Sequence, residues 1–349
     1  MIVHNYVDGR RVHAASDLLR LLDICTTWKS AGEIARALGI GSSDLAPLVR
    51  RLVERGLLER SDRPMEPRAL AMAALDAWNP EAGLFHSATR DVRFWSPAEA
   101  LRQARAKATR EPMPPAVKRY RGVPTLDLPR PVAGRFPDLL RSRRTWRRFS
   151  ATKRVTIGDL GTLLGLTAGI QQWVEAKPRP LALKTSPSGG ARHPIECYLV
   201  ARRVVGLPAG VYHYAADRHA LERLRKSISL ERLRSYYPSS GYFAEAPAHL
   251  LMTAVFARQL WRYPYARAYR AALVEAGHLC QTFCLTATWL GLAPFCLMGL
   301  ADSRIEQDLG IDGITESILY AAGVGHRPKG TSWAPFVRGS LKARRNPRL

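Results

Sequence analysis

Apolar residues in the first 60 positions of the chain recur at helical spacing in three consecutive segments. The first predicted helix covers 17–26, where leucines and an isoleucine share one face. The second begins with a capping box, in which Glu33 follows Ser30 by three residues, and it ends at Gly39. Three short amphipathic helices in a row predict a small helical unit at the start of the chain.

The third helix has two candidate caps, Ser43 and Asp44, and it ends at Gly56. A strand is predicted to begin at Leu57, and a short strand or hairpin occupies 1–12. This order of helix, helix, turn, helix and strand resembles a winged helix-turn-helix, a fold that binds either DNA or proteins. Since the start of the third helix has no set of Asn, Gln and Arg to contact bases, we expect this unit to bind a peptide or a partner enzyme and not nucleic acid.

Prolines recur throughout residues 63–134, which predicts a connector. One helix interrupts it, from Ser96 or Pro97 to about Arg110, with a capping box at its start. An aromatic and basic patch at 85–90 leaves two alternatives open. The connector either packs on the domain that follows or runs as an exposed linker.

From residue 135 onward, apolar strands and helices are mixed, which predicts an α+β domain with a central sheet flanked by helices. The predicted strands are 195–204, 210–214, 219–224, 248–256, 292–300 and 317–324. A long helix that ends near Leu290 is apolar on nearly every side, as expected of a buried core helix. Glu275 and His278 interrupt it, and we expect a buried His278 that is hydrogen-bonded rather than catalytic. The predicted domains are a winged-helix-like unit, the connector and this domain, at 1–62, 63–134 and 135–349.

The composition is that of a globular protein, with 46% hydrophobic and 23% charged residues. Lys and Arg number 53 against 29 Asp and Glu, and the formal net charge of +24 favours acidic partners such as nucleic acid, a phosphorylated cofactor or an acidic peptide. The N-terminus lacks the pattern of a signal peptide, and no apolar run reaches the length of a membrane span. We therefore expect a soluble, cytoplasmic protein with no membrane contact.

The five cysteines form no C-x-x-C pair, so the sequence predicts neither a disulfide framework nor a zinc site. Cys280 and Cys284 lie four residues apart on one face of the long helix. Their neighbours are apolar, which favours core residues over metal ligands. No metal is expected.

An arginine-rich stretch at 141–149 contains five arginines among nine residues. Such a stretch is compatible with a solvated face or a nucleic-acid contact. Guanidinium forks also suit a single phosphate, and the Thr145 hydroxyl between Arg144 and Arg147 fits that use.

A small, glycine-rich stretch lies just before the first long apolar strand. Gly189 and Gly190 can adopt positive φ and direct N–H groups outward, and Ser186 and Ser188 add hydroxyl donors. This stretch is either an ordinary loop or the place where a flat or anionic ligand approaches the backbone.

Four motifs occur in order along the second half of the chain. They are Arg-Arg-Thr-Trp-Arg-Arg-Phe at 143–149, Ser-Pro-Ser-Gly-Gly-Ala-Arg-His-Pro-Ile-Glu at 186–196, Tyr-Arg with Glu-Ala-Gly-His within 269–278, and Leu-Tyr-Ala-Ala-Gly-Val-Gly at 319–325. Together they resemble the nitroreductase superfamily, and within it the SagB-type dehydrogenases that mature ribosomal peptides. The resemblance covers roughly 136–326 and implies a nitroreductase-like fold.

The resemblance also implies an FMN enzyme, usually a homodimer with the flavin at the subunit interface. The residues that would hold the phosphate and ribityl chain are Arg143, Arg144, Thr145 and Arg147. Those that would lie along the ring and ribityl groups are Ser186, Ser188, Gly189 and Gly190. Those that would place backbone groups at the other edge of the ring are Leu297, Met298 and Gly299.

SagB-type enzymes oxidise thiazoline or oxazoline rings in a peptide to azoles, and a Lys-Tyr pair before the long helix is implicated as the base. The matching positions here are Pro264 and Tyr265, so the tyrosine is present and the lysine is not. Tyr265 is the candidate catalytic residue. The expected function is FMN-dependent dehydrogenation in peptide maturation, with a precursor peptide as the partner and a partner maturation enzyme as a second candidate. A flavin reductase of small electron-poor molecules and a basic DNA-binding regulator are the alternatives.

Overall fold

The N-terminal unit consists of a strand pair and three helices in this computed structural model. The residues that the structure describes are 2–6, 10–75, 78, 80–118, 126, 128–177 and 179–331. Strands β1 (Ile2–His4) and β2 (Arg11–His13) pair antiparallel, and the turn predicted between them lies outside the described residues. The helices are α1 (Asp17–Ile24), α2 (Ala31–Leu38) and α3 (Ser42–Glu54). Their buried side chains form a separate core of Leu21, Ile34, Ala35, Leu45 and Leu52.

Two local predictions in this unit are wrong. α3 begins after Gly41 with no side-chain cap, because Ser43 already lies in the first turn. No strand forms at Leu57 among the described residues. Instead the Leu57 amide donates to the Leu52 carbonyl, and Leu57 and Leu58 pack on the helical core. The capping box of α2 is present as predicted, and the winged-helix assignment stays a prediction.

Part of the connector packs on the second half of the chain. It contains α4 (Pro67–Ala73), α5 (Pro80–Thr89) and α6 (Pro97–Ala108), of which only α6 was predicted. Trp78 and His86 are buried in the main core, and the His86 ring contacts the Tyr269 hydroxyl and the Gly313 carbonyl. These contacts decide between the two alternatives in favour of packing for 78–90, whereas α6 has no buried residue.

The remaining elements form a mixed fold of helix and sheet, as expected. The helices are α7 (Arg135–Ser142), α8 (Ile157–Ala168), α9 (Leu230–Arg234), α10 (Phe256–Arg262), α11 (Ala268–Trp289) and α12 (Asp302–Leu309). The strands are β3 (Val155–Thr156), β4 (Ile170–Val174), β5 (Leu181–Lys184), β6 (Ile195–Ala201), β7 (Val204–Val205), β8 (Gly210–Ala215), β9 (Ala220–Arg225), β10 (Ala248–Val255), β11 (Ala293–Leu297) and β12 (Glu316–Gly325). The division of the chain at 62 and 134 stays a prediction.

Six strands form one antiparallel sheet in the order β11-β12-β10-β6-β8-β9. Side chains are buried on both of its faces. In β6, Cys197 and Leu199 belong to one core cluster, whereas Tyr198 and Val200 belong to another. α11 packs on the first face, and α9 and α12 pack on the second. The unbroken apolar runs of the predicted strands follow from a sheet that is covered on both sides.

The long helix α11 is central but not buried all round. Val274 is 55% exposed and Trp289 is 63% exposed. Glu275 is buried, whereas His278 is only half-buried, so the prediction of a buried His278 is wrong. One side of this helix is therefore exposed in the single chain. Among the described residues, none of the helices has the length and apolar character to cross a membrane.

Candidate functional site

A polar cavity of about 370 Å³ lies between the arginine-rich segment and α11. This volume falls in the range of small-molecule sites, about 300–1,000 Å³. Its lining residues are Arg143, Thr145, Gly277, Cys280, Gln281, Cys284, Cys296 and Tyr320. Two of the predicted phosphate ligands, Arg143 and Thr145, thus reach a pocket in which a positive charge and a hydroxyl face the same space.

The arginine-rich segment is held along the edge of the sheet. α7 ends where the Arg143 amide donates to the Leu139 carbonyl at 3.2 Å, and the Trp146 amide donates to the Pro294 carbonyl at 2.9 Å. The Arg144 guanidinium donates to carbonyls of its own segment at 2.7 Å. Arg144 and Arg147 are half-buried beside the cavity but, among the described residues, are not part of its lining. Their predicted role at the phosphate stays a prediction.

The glycine-rich loop lies against a different side of α11. Ser186 and Thr282 are hydrogen-bonded through their hydroxyls at 3.0 Å, and the Gly189 amide donates to Glu275 Oε1 at 3.0 Å. At 100° per residue, the α11 positions that meet the loop and those that line the cavity point in roughly opposite directions. Among the described residues, the lining of the cavity includes none of the predicted residues of the glycine-rich loop.

The loop conformation confirms one glycine prediction and corrects another. Gly190 has φ +60°, and a Cβ there would lie 3.1 Å from the Tyr263 hydroxyl, so both its backbone and its surroundings favour glycine. Ala191 and His193 also have positive φ, which concentrates backbone strain in this loop. The Gly189 amide does not point outward to a ligand, because it donates a hydrogen bond to the buried Glu275 side chain. Ser188 Oγ accepts from the His193 amide at 2.8 Å.

Three titratable groups that the sequence did not predict to be part of the site lie near this loop. Glu275 also accepts from Gln259 Nε2 at 2.5 Å, and burial raises the pKa of its carboxyl. Burial lowers the pKa of Lys184, which ends β5 just before the loop. Burial also lowers the pKa of His193 to about 4. The sequence signal for Lys184 was its position directly before the glycine-rich motif.

Tyr265, the predicted catalytic residue, lies on the loop side of the domain. Its side chain is 50% exposed, its amide donates to the Tyr263 carbonyl at 2.8 Å, and the two rings are 6.1 Å apart. Because Tyr263 packs on Gly190, Tyr265 is one ring away from the glycine-rich loop. Its catalytic role stays a prediction.

The third predicted group follows the strand that supplies Cys296 to the cavity. Leu297 ends β11 and is half-buried, Met298 is 65% exposed, and a Cβ on Gly299 would lie 3.6 Å from the Phe94 ring of the connector. These residues leave the sheet beside the cavity, and their contact with a ring edge stays a prediction.

A cluster of three thiols was not predicted. The Sγ atoms of Cys280, Cys284 and Cys296 all lie within 4.8 Å of one another. Hydrogen bonds from Cys280, Cys284 and the Tyr320 hydroxyl lower the pKa of Cys296. No sequence spacing reveals Cys296, because packing of β11 against α11 brings it to the other two.

Comparison with known proteins gives one family and several relatives. The model of the nitroreductase family matches residues 140–326. The Methanocaldococcus jannaschii protein MJ1384, described as a nitroreductase, is 30% identical over 177 residues, which cover 51% of this chain and 85% of that protein.

Two other relatives are processing proteins. The trifolitoxin-processing protein TfxB of Rhizobium leguminosarum is 38% identical over 145 residues, and the microcin B17-processing protein McbC of Escherichia coli is 32% identical over 138 residues. These matches cover 40% and 38% of this chain. The chain spans only 38% of the length of TfxB and 50% of that of McbC.

Proposed function

The chain belongs to the nitroreductase family, and we propose that it is an FMN-dependent dehydrogenase that oxidises azoline rings to azoles in ribosomal peptide maturation. The observation that carries the proposal is the polar cavity at which Arg143 and Thr145 meet α11. The likeness to TfxB and McbC, which process trifolitoxin and microcin B17, supports peptide maturation as the setting.

The residues at the cavity fit the phosphate end of FMN. Arg143 offers a planar fork of donors that matches phosphate oxygens, and Thr145 offers a hydroxyl. Arg144 and Arg147 add positive charge within the same segment. When bound, FMN would supply the acceptor for the hydride in a two-electron oxidation. The role of this chain is to bind and orient that group.

We propose that the complete site needs a second copy of the chain. In one chain, α11 separates the arginine cavity from the glycine-rich loop, although both sets belong to the predicted flavin site. The exposed side of α11, which includes Val274 at 55% exposure, leaves room for a partner beside the cavity. A homodimer with FMN at its interface would let the loop of one copy face the cavity of the other.

The homodimer is tested by a charge on this exposed side. Val274→Asp places a carboxylate in water in a single chain but at an apolar contact in the dimer, where an unpaired charge is costly. We expect a monomer by analytical ultracentrifugation, with loss of bound flavin. Val205→Asp, at a position 48% exposed on β7, is the matched control. A dimer that persists in Val274→Asp argues against this interface.

Tyr265 is the proposed acceptor of the substrate α-proton. Pro264 cannot take or give a proton, so the lysine of the family pattern has no counterpart there. Nearby positive charge favours the deprotonated form of a phenol, which is the form that accepts a proton. Arg262 and Arg267 flank Tyr265 in the sequence and are candidates for that charge.

The test is turnover of a synthetic precursor peptide that contains a thiazoline, followed by mass spectrometry. We expect a product lighter by two hydrogen atoms, no product with Arg143→Ala, and a lower kcat with Tyr265→Phe at little change in KM. MJ1384 is described as a nitroreductase, so a flavin reductase is the second candidate. Reduction of nitro compounds by a reduced nicotinamide, without azoline turnover, would favour it.

The N-terminal unit is proposed to hold the precursor peptide or a partner enzyme. A groove of about 790 Å³ there combines apolar side chains of α1, α2 and α3 with the arginines Arg20, Arg51 and Arg55. An acidic, partly apolar peptide suits this surface. An Arg51→Glu, Arg55→Glu variant should raise KM for the full precursor but not for a short peptide around the azoline. An unchanged KM for the full precursor in this variant would refute this role.

A further inference from the structure

The three-thiol cluster lies at the end of the cavity, where a helix and a strand meet. Cys280 and Cys284 occupy successive turns of α11, each 3% exposed, and Cys296 lies on β11. All three are free thiols that line the cavity. The helix α11 and the strand β11 thus bring three thiol sulfur atoms, which are soft metal ligands, close together.

The spacing of the sulfur atoms suits a single metal ion. A zinc ion about 2.3 Å from each thiolate holds tetrahedral sulfur atoms about 3.8 Å apart. The Sγ atoms here lie within 4.8 Å of one another, so small rotamer changes bring all three onto one ion. An iron–sulfur cluster sits between its thiolates and holds them farther apart than one ion does.

The surroundings of the cluster complete such a site. The cavity provides space for a fourth ligand, as in zinc sites with three protein ligands. Three thiolates around Zn²⁺ leave a net charge of −1, which the Arg143 guanidinium on the same cavity can balance. The Tyr320 hydroxyl lines the same cavity as Cys296, where it can orient a metal ligand.

We propose that Cys280, Cys284 and Cys296 bind one zinc ion whose fourth position faces the cavity. This proposal replaces the expectation that Cys280 and Cys284 are only core residues. It does not rest on the flavin function, although the ion would lie at the cavity that Arg143 lines.

The test uses the full-length protein, purified under reducing conditions from cells supplied with zinc. Zinc is measured by plasma mass spectrometry, and released FMN is counted in the same sample. We expect about one zinc per chain, and at least about tenfold less in Cys280→Ser, Cys284→Ser and Cys296→Ser. Cys25→Ser, in the N-terminal unit, is the matched control and should keep its zinc.

A second measurement, on the wild-type protein, tests the site even where the cysteine variants fail to fold. Co²⁺ added to the metal-stripped wild-type protein should give thiolate-to-cobalt charge-transfer absorption and the visible bands of a tetrahedral ion, saturating at one equivalent. Tyr320→Phe keeps all three ligands and should weaken zinc binding by about 10- to 100-fold.

Wild-type protein without zinc and without thiolate–cobalt absorption overturns the proposal, as do cysteine variants that keep their zinc. The flavin count separates the two proposals. Zinc-free protein that holds FMN contradicts only the metal site, whereas FMN-free protein that holds zinc contradicts only the flavin function.

Discussion

Removal of the Glu275 carboxylate should release the glycine-rich loop from α11. The side chain is 4% exposed and accepts two hydrogen bonds, from the Gly189 amide at 3.0 Å and from Gln259 Nε2 at 2.5 Å. Glu275→Ala leaves both donors without this acceptor. A buried donor without a partner costs about 1–3 kcal/mol, so two cost about 2–6 kcal/mol. Gly189 is at the surface, where water can replace the lost acceptor, so we expect about 2–3 kcal/mol.

Glu275→Gln is the matched control because its amide oxygen can still accept both hydrogen bonds. We expect it to cost less than about 1 kcal/mol. Burial raises the pKa of the Glu275 carboxyl in the folded protein. The stability that the protonated side chain contributes is therefore full below the pKa of Glu275 in the unfolded chain, and it is lost as the pH rises through the pKa in the folded chain. Glu275→Gln, which resembles the protonated acid, should remove that part of the pH dependence.

The assay is urea unfolding of the full-length protein, combined with hydrogen exchange at the Gly189 amide. Glu275→Ala should lower the urea midpoint and speed exchange at Gly189, whereas Glu275→Gln should leave exchange nearly unchanged. Equal stability of the Ala and Gln variants, or a loss below about 0.5 kcal/mol in the Ala variant, would refute the assigned role of this carboxyl.

Three further predictions concern stability. Hydrogen bonds to Glu196 and a second carboxylate raise the pKa of His213 from 6.5 to about 9. His213→Gln should therefore lower the free energy of unfolding by about 1–2 kcal/mol below pH 6.5, and the difference from wild type should vanish as the pH rises through 9. A pH-independent difference contradicts this. Gly323→Ala should cost about 1–3 kcal/mol in urea unfolding, because its Cβ would overlap the Phe295 ring and a backbone carbonyl of the neighbouring strand; an unchanged midpoint contradicts this. Trp78→Ala should cost about 3–5 kcal/mol by the same assay, since its ring packs in the main core, and a neutral result would mean that the connector does not stabilise the domain.

Local signals predicted much of the fold. The capping box of α2 and the apolar strand β10 follow from patterns within about ten residues, and both are present. The sequence does not predict the helices α4 and α5, because Pro67 and Pro80 indicate a connector there. In the structure, each of these prolines is the first residue of a helix. Leu57 was assigned to a strand, but packing on the helical core determines its conformation.

The candidate site was predicted only where one segment carries the chemistry. Arg143 and Thr145 reach the cavity because both follow α7 within a single short stretch. The hydrogen bond from Gly189 to Glu275 and the approach of Cys296 to Cys280 depend on how distant segments pack. No periodicity or spacing encodes such contacts, so the sequence alone could not reveal them.

The flavin content of the purified protein is the decisive measurement, made by absorption and by identifying the cofactor released on denaturation. We predict about one FMN per chain, falling at least about tenfold in an Arg143→Ala, Arg147→Ala double variant. Arg148→Ala, an exposed neighbour in the same segment, should keep its flavin. Colourless wild-type protein that takes up no added FMN, or a double variant that keeps its flavin, would contradict the proposed cofactor site.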